Sequence, residues 1–330
     1  MNEKTIELPP GLPYRVRSAT IEDLAATVAL VGACDLHDTG ETDLTATELR
    51  QEWYGLELAR QTRLVLDTDG ALVAYAEMHD REPVRVNAFG CVHPARRGQG
   101  LGSALIKWTE EMARARIHDV LADARVSIST WTNIKNESAK ALFTARGYMP
   151  ARRWQRMEIT MDEAPPTPVF PDGVVLRTFR RGEDDHTVFE TLEESFSDHW
   201  GHLPGNFEDF RRRRVEVADL DPTLWLLAVD GDAIAGLSLC AQDEDAGWVH
   251  TLGVRRAWRR RRLGLALLHA SFAAFYGRST RTVKLGVDAT SLTGATRLYE
   301  SGGMHVAAMH DRYEKELRAG RELSTRILTE

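Results

Sequence analysis

Val92-His93-Pro94-Ala95-Arg96-Arg97-Gly98-Gln99-Gly100-Leu101-Gly102-Ser103-Ala104-Leu105 is the most informative stretch of this chain. An apolar extended run, Val84 to Val92, enters a basic, glycine-rich turn that opens into an amphipathic helical pattern from Gly102 to Arg116. Glycines let the main chain approach a ligand closely, and free amides at a helix N-terminus point at it with a partial positive charge. Such a turn suits a pyrophosphate. A dinucleotide fold competes, but Gly98, Gly100 and Gly102 are spaced G-x-G-x-G rather than G-x-G-x-x-G, and this strand is the fourth of its unit, not the first. The bland alternative, a plain turn of small residues, is weakened because the turn recurs in the second half.

Upstream of it, an extended Tyr14 to Ser18 leads to helical patterns over Asp23 to Ala33 and, behind a Thr45/Glu48 capping box, Ala46 to Leu58. Leu64 to Asp67 and Leu72 to Glu77 flank Asp69-Gly70 and predict a hairpin. Downstream, the run Val126 to Thr132, a helix from Glu137 to Arg146 and a strand Arg153 to Ile159 complete the unit.

Four prolines, Pro165, Pro166, Pro168 and Pro171, mark residues 161–172 as a linker. Beyond it the order repeats: Val174 to Thr178, helices over Asp184 to Phe196 and Phe207 to Val217, and strands Thr223 to Val229 and Ile234 to Cys240 around Gly231-Asp232. Trp248 to Val254 then meets an arginine-rich turn, a helix Leu263 to Tyr276, a strand Thr282 to Val287, a helix Gly294 to Ser301 and a strand Ala307 to Tyr313. Ala71 with Ala233, Val92 with Val254 and Gly102 with Gly264 share one offset of 162 residues, whereas Gly147 and Gly303 differ by 156. The chain is therefore expected to be a duplication: domains 1–160 and 173–330 joined by 161–172.

The length, 330 residues, suits two domains, and 43% hydrophobic with 28% charged residues is a globular balance. A net charge of -7 lacks the basic footprint of a nucleic-acid binder. The runs Arg255 to Arg262 and Arg211 to Arg214 lack the interleaved aromatics of a stacking surface, so no nucleic-acid partner is expected. Cys34, Cys91 and Cys240 have no metal-ligand spacing, which points to a reducing cytoplasm and no metal. No stretch nears the roughly 18 consecutive apolar residues of a membrane span, so no membrane partner is expected.

The arrangement Val92-x4-Arg97-x2-Gly100-x-Gly102 after a strand, with an apolar helix behind it, resembles the acetyl-coenzyme A signature of the GNAT superfamily. The resemblance covers nearly the whole chain, twice. It implies an α/β (α+β) fold of two tandem GNAT domains, each a mixed, splayed central sheet flanked by helices, with coenzyme A as cofactor. It also implies N-acyl transfer, acetyl-coenzyme A being the donor and a primary amine of a small molecule or peptide the acceptor, with catalysis expected in the C-terminal domain. Coenzyme contacts are expected at Val92, Arg97, Gly98, Gln99, Gly100, Leu101, Gly102, Ser103 and Asn136 in the first copy. The second-copy contacts are Leu252, Gly253, Val254, Arg259, Arg260, Arg261, Arg262, Leu263 and Gly264. Arg262 stands where the motif has glycine: with φ > 0 it is strained, whereas a helical Arg262 adds a cation facing the phosphates.

A second motif separates the copies. Ala295-x-x-Leu298-Tyr299-Glu300 resembles the family's A-x-x-L-Y-E, whereas the first copy has Phe143 at the tyrosine position. The resemblance implies that the Tyr299 hydroxyl lies near the coenzyme sulfur, where a phenol can protonate a departing thiolate. Tyr299 is thus expected to be the general acid of the second copy, with a core aromatic as the alternative. His250, four residues before Val254, is the candidate base, with Asp243, Glu244 and Asp245 just upstream. Asp198, His199 and Trp200 are expected to grip the acceptor amine. The rival class is a non-catalytic acyl-coenzyme A-binding or regulatory protein, since the first copy lacks the tyrosine and the second the turn glycine.

Overall fold

The structure, a computed structural model, describes residues 6–42, 44–80, 82, 84–217, 220–243, 246–290 and 294–326. The chain forms two compact units, Met1–Arg152 with His310–Leu323 and Arg153–Met309 with Ser324–Glu330.

The first unit runs β1 (Arg15–Arg17), α1 (Leu24–Thr39), α2 (Ala46–Tyr54), α3 (Leu58–Gln61), β2 (Thr62–Leu66), β3 (Leu72–His79), β4 (Arg85–Val92), α4 (Leu101–Ala115), β5 (Val126–Asn133) and α5 (Glu137–Ala145). The capping box forms at α2: the Glu48 amide donates to Thr45 Oγ1 at 3.1 Å, and the Thr45 amide donates to Glu48 Oε2 at 2.9 Å. Gly70, at φ 85, closes the β2–β3 hairpin, where Asp67 Oδ1 accepts from the amides of Asp69 and Ala71. Trp108, Leu105 and Leu101 of α4 bury one face of the sheet, and Leu30, Cys34, Leu49 and Trp53 of α1 and α2 bury the other.

Next come β6 (Met149–Thr160), β7 (Val174–Thr178), α6 (Asp185–Phe196), α7 (Phe207–Phe210), β8 (Trp225–Asp230), β9 (Ala233–Gln242), β10 (Ala246–Val254), α8 (Leu263–Tyr276), β11 (Thr282–Asp288), α9 (Ala295–Ser301) and β12 (His305–Arg318). The arginine run after α7 makes a π-helical turn, Arg211–Val215, in which Arg211 and Arg212 pair with Glu208 and Asp209. Leu268, Phe272 and Phe275 of α8 are fully buried. The Phe275 ring lies so close to Gly247 of β10 that a Cβ there would come within 2.5 Å of it. Among the described residues no helix is long and apolar enough to cross a membrane.

In the first unit the strand order is β1-β2-β3-β4-β5-β12, antiparallel except for β4 and β5. That parallel ladder is short: Arg85 to Asn87 face Ser127 to Ser129, and beyond them the strands part. The second unit repeats the plan as β7-β8-β9-β10-β11-β6, with β10 and β11 parallel over Ala246 to Trp248 and Thr282 to Lys284 before they separate.

The last strand of each copy is exchanged. Residues 153–160 of β6, expected to complete the first half, pair antiparallel with β11, while 310–318 of β12 pair with β5. The expected boundaries, 1–160, 161–172 and 173–330, follow the sequence repeat, whereas the compact units divide inside β6 and β12. Two related copies offer equivalent free edges at β5 and β11, and the alternation within a strand fixes its buried face but not which edge it joins.

Candidate functional site

The glycine-rich turn and its arginine-rich counterpart trace one backbone. Gly98 and Gly100 lie at φ 79 and 84, and Arg260 and Arg262 hold the same left-handed region at φ 62 and 63. This decides between the alternatives for Arg262: the position requires φ > 0, and two non-glycine residues hold it at a cost of roughly 1–2 kcal/mol each. Gly100 and Arg262 are the N-caps of α4 and α8, so both helices begin with outward-facing amides that have no intrahelical acceptor. The last motif glycine is a packing residue as well: a Cβ on Gly102 would meet Leu142 at 3.0 Å, and one on Gly264 would meet Leu298 at 2.7 Å. Arg260, Arg261 and Arg262 are exposed, whereas Leu263 is buried.

The arginine that precedes the left-handed residues of each turn is fastened from within the protein. Arg97 donates through Nε to the Val92 carbonyl at 3.2 Å and through its fork to both Asp38 oxygens at 2.6 and 3.0 Å. Arg259 repeats this with the Val254 carbonyl at 3.1 Å, Asp198 at 2.6 Å and the Ser195 carbonyl at 3.0 Å. Burial opposes the charged form of Asp38 and Asp198, yet each guanidinium holds its partner below the ordinary carboxylate range. Each pair ties the turn to the helix C-terminal region facing it. Such a bidentate contact can hold two left-handed arginines in place. Asp198, expected at the acceptor, is thus spent on Arg259. Asp38 is the first-copy counterpart of Asp198, and that helix-end aspartate is its one signal in the sequence.

Where β4 and β5 part, the first unit has a cavity of about 450 Å³, lined by Val92, Gly98, Gly100, Leu101, Gly102 and Ser103 at the turn. Asn136 also lines it, accepting from the Ala139 amide at 2.9 Å and donating to Asp38 at 2.7 Å, so it caps α5 and joins the Arg97 cluster. Gln99 accepts from the Tyr14 hydroxyl at 2.6 Å. Elsewhere in the cavity wall Phe89 stacks on Trp131 at 4.8 Å, and His310 meets the indole edge-on at 5.3 Å. Trp131 keeps 47% of its surface exposed.

In the second unit the opening between β10 and β11 differs in one backbone feature. Val249 faces Cys240 and Thr251 faces Leu239, so His250 is the extra residue of a β-bulge. The matching stretch of the first unit pairs without interruption, from Asn87 with His79 to Val92 with Ala74. A bulge leaves one residue outside the ladder and re-aims its side chain. The His250 ring stacks on Trp248 at 6.0 Å and remains open to solvent. Desolvation, then the charge of Arg214, pushes its pKa down to about 4 against the pull of Asp243. The imidazole is therefore neutral at pH 7. Glu244 and Asp245 lie outside the described residues.

Tyr299 sits on α9, 8% exposed, among Leu268, Phe272 and Leu285. Burial pushes its phenol up to about 12, so it is protonated at neutral pH. Its counterpart Phe143 packs on Tyr148 and Tyr313 in the first unit. Leu252 packs beneath α9, and Gly253 lies under α6, where a Cβ would come within 3.0 Å of the Phe196 ring. His199 is edge-on to Phe196 at 4.5 Å and its pKa is lowered, chiefly by desolvation. Trp200 is covered by the Arg326 guanidinium at 4.5 Å. Thr325 binds the same segment, its amide donating to the His202 carbonyl and its carbonyl accepting from the Gly201 amide.

Comparison with known proteins matches this architecture. Residues 31–148 and 186–304 each match the model of the acetyltransferase (GNAT) family. A mycothiol acetyltransferase of Kineococcus radiotolerans is 31% identical over 312 residues, covering 93% of this chain and 95% of the relative. One of Thermomonospora curvata is 29% identical over 318 residues, covering 95% and 98%. Among solved structures, a GCN5-related N-acetyltransferase from Sphaerobacter thermophilus superposes with a TM-score of 0.86 at 38% identity, covering 96% of this chain and 99% of that one. A tandem GNAT protein from the clavulanic acid biosynthesis pathway gives 0.69 at 15% identity over 93% and 100%, a likeness of fold alone.

Proposed function

The chain belongs to the acetyltransferase (GNAT) family and is an N-acetyltransferase; from that premise we propose that acetyl-coenzyme A is its donor, a primary amine of a small molecule its acceptor, and the second unit its catalyst. The first unit holds coenzyme A without turning it over. The observation that carries this division is the contrast between the two openings: the second combines a bulged strand with a buried phenol, and the first has an unbroken ladder and a phenylalanine.

Both turns fit the coenzyme's pyrophosphate, because each presents unpaired amides at a helix N-terminus behind two left-handed residues. When bound, the coenzyme supplies an acyl group already activated as a thioester. Arg97 and Arg259 are positioning residues that fix the turns through Asp38 and Asp198. The bulge at His250 interrupts the ladder, and a main-chain amide released there would polarise the thioester carbonyl. His250, neutral at pH 7, takes the proton released as the amine attacks, and Tyr299 donates one to a departing thiolate of pKa near 8.5. His199 and Trp200 are the groups left to meet the acceptor. The three cysteines are free thiols, which supports a cytoplasmic setting.

The test is release of free coenzyme thiol against a panel of amines, headed by a mycothiol precursor because of the relatives' name. Steady turnover with one amine is expected. Tight binding of acetyl-coenzyme A without turnover on any amine would instead favour a sensor.

A further inference from the structure

The first unit's cavity carries two thiols that the chemistry above does not use. Cys34 comes from α1 and Cys91 from β4; both line the cavity and both pack in the apolar cluster between α1, α2 and the sheet. Cys34 Sγ donates to the Val92 carbonyl at 3.3 Å, which seats it over the residue next to Cys91, in the one apolar cluster that holds both thiols. The neighbouring Cys91 thiol lowers the pKa of Cys34, burial opposes it and the Arg97 charge assists, whereas Cys91 is held well above its ordinary value. Cys34 is thus the readier of the two to ionise and attack, and Cys91 is the resolving thiol. Cys240 stands apart from them: it packs in the second unit's core with no other cysteine in its cluster, and burial pushes it up to about 11.

We propose that Cys34 and Cys91 form an oxidation site that closes to a disulfide in the wall of the first unit's cavity, with a hydroperoxide as oxidant. The Cys34 thiolate attacks the peroxide oxygen, forming an S–O bond and releasing hydroxide or alkoxide as the O–O bond breaks. The Cys91 thiol then attacks the Cys34 sulfur, forming the S–S bond and releasing water after its proton passes to the departing oxygen. The two thiols lose two electrons and the peroxide gains them. Closure takes Cys34 off the Val92 carbonyl, which also anchors Arg97 and hence the turn. On the reading that this turn holds coenzyme A, the oxidised chain binds it on the order of tenfold more weakly, the loss of about one hydrogen bond.

The full chain, reduced and freed of reductant, is treated with hydrogen peroxide, its free thiols are alkylated, and the digest is mapped by mass. The expected product is one cross-linked peptide pair spanning Cys34 and Cys91, two hydrogens lighter, with Cys240 alkylated. C240S should give the same product and dithiothreitol should reverse it, whereas C34S and C91S should give none. Both thiols remaining free, or Cys91 alone passing to its sulfinic acid, overturns the site. Calorimetry with acetyl-coenzyme A on the reduced and oxidised chain tests the coupling. Weaker binding at one site after oxidation supports it and equal binding overturns it. A reduced chain with no first-unit binding would overturn the coenzyme reading instead, and leave the cross-link standing.

Discussion

At Gly98 and Gly100 the left-handed turn is free of side-chain strain; at Arg260 and Arg262 the same turn is held against it. The second copy keeps the shape because its surroundings fix the residues that lead into it, Arg259 on Asp198 and the Val254 carbonyl, and Trp258 on Asp230 at 2.8 Å. A motif glycine therefore marks a required conformation, and its loss does not by itself report the loss of a site. The copies diverge where chemistry is concerned, at the bulge of β10 and at Tyr299 against Phe143.

The largest effect that sharpens this comparison is expected at Tyr299. Tyr299→Phe keeps the ring but removes the donor, so kcat should fall by on the order of 10² to 10⁴ with coenzyme affinity little changed. Melting is followed alongside, because loss of a buried hydroxyl contact can cost about 1 kcal/mol of stability. Turnover close to that of the unsubstituted chain would reduce Tyr299 to a packing residue.

Next in size is Gly100→Val. Its φ of 84 excludes a β-branched residue, and the new Cβ would come within 2.9 Å of Pro9. Calorimetry should show the first-unit site weakened by roughly tenfold or more, since backbone strain of this kind is worth about 1–3 kcal/mol, while kcat holds. A fall in kcat with both sites still filled would break the division of labour.

A smaller effect of opposite sign is expected from Arg262→Gly. Relief of the left-handed strain should stabilise the second unit by up to about 1–2 kcal/mol and raise Tm, with coenzyme binding retained. Unchanged or lowered Tm would mean that the arginine repays its strain through contacts of its own.

The smallest change is expected in the acid limb of the rate profile. His250 has its pKa pushed down to about 4, so it stays neutral, and able to accept a proton, as pH falls from 7 to 5. The His250-dependent rate should be lost only as pH falls through about 4. An acid limb near pH 6.5, abolished in His250→Gln, would show an ordinary solvated imidazole instead.

Much of the fold was legible because its signals are local. The Thr45/Glu48 box, the Asp69-Gly70 hairpin and the α8 stripe each lie within a few residues of what they specify. The exchange of β6 and β12 was not legible: strand pairing is non-local, and β5 and β11 offer related edges to related strands. In the site, the turns were legible from glycine and arginine spacing. Asp38 was not, since a lone acid near a helix end carries no local mark, and its counterpart Asp198 suggested acceptor binding until Arg259 was seen beside it. The bulge at His250 is equally silent in sequence, as no glycine or proline marks it.

The most direct test of the account is a crystal structure of the chain soaked with acetyl-coenzyme A. It predicts coenzyme density in both openings, with pyrophosphate on the amides that follow Gly100 and Arg262 and the thioester sulfur beside the Tyr299 hydroxyl. Density in the first unit alone, with the turn of Arg260 and Arg262 empty at saturating coenzyme, would contradict it and move catalysis to the N-terminal copy.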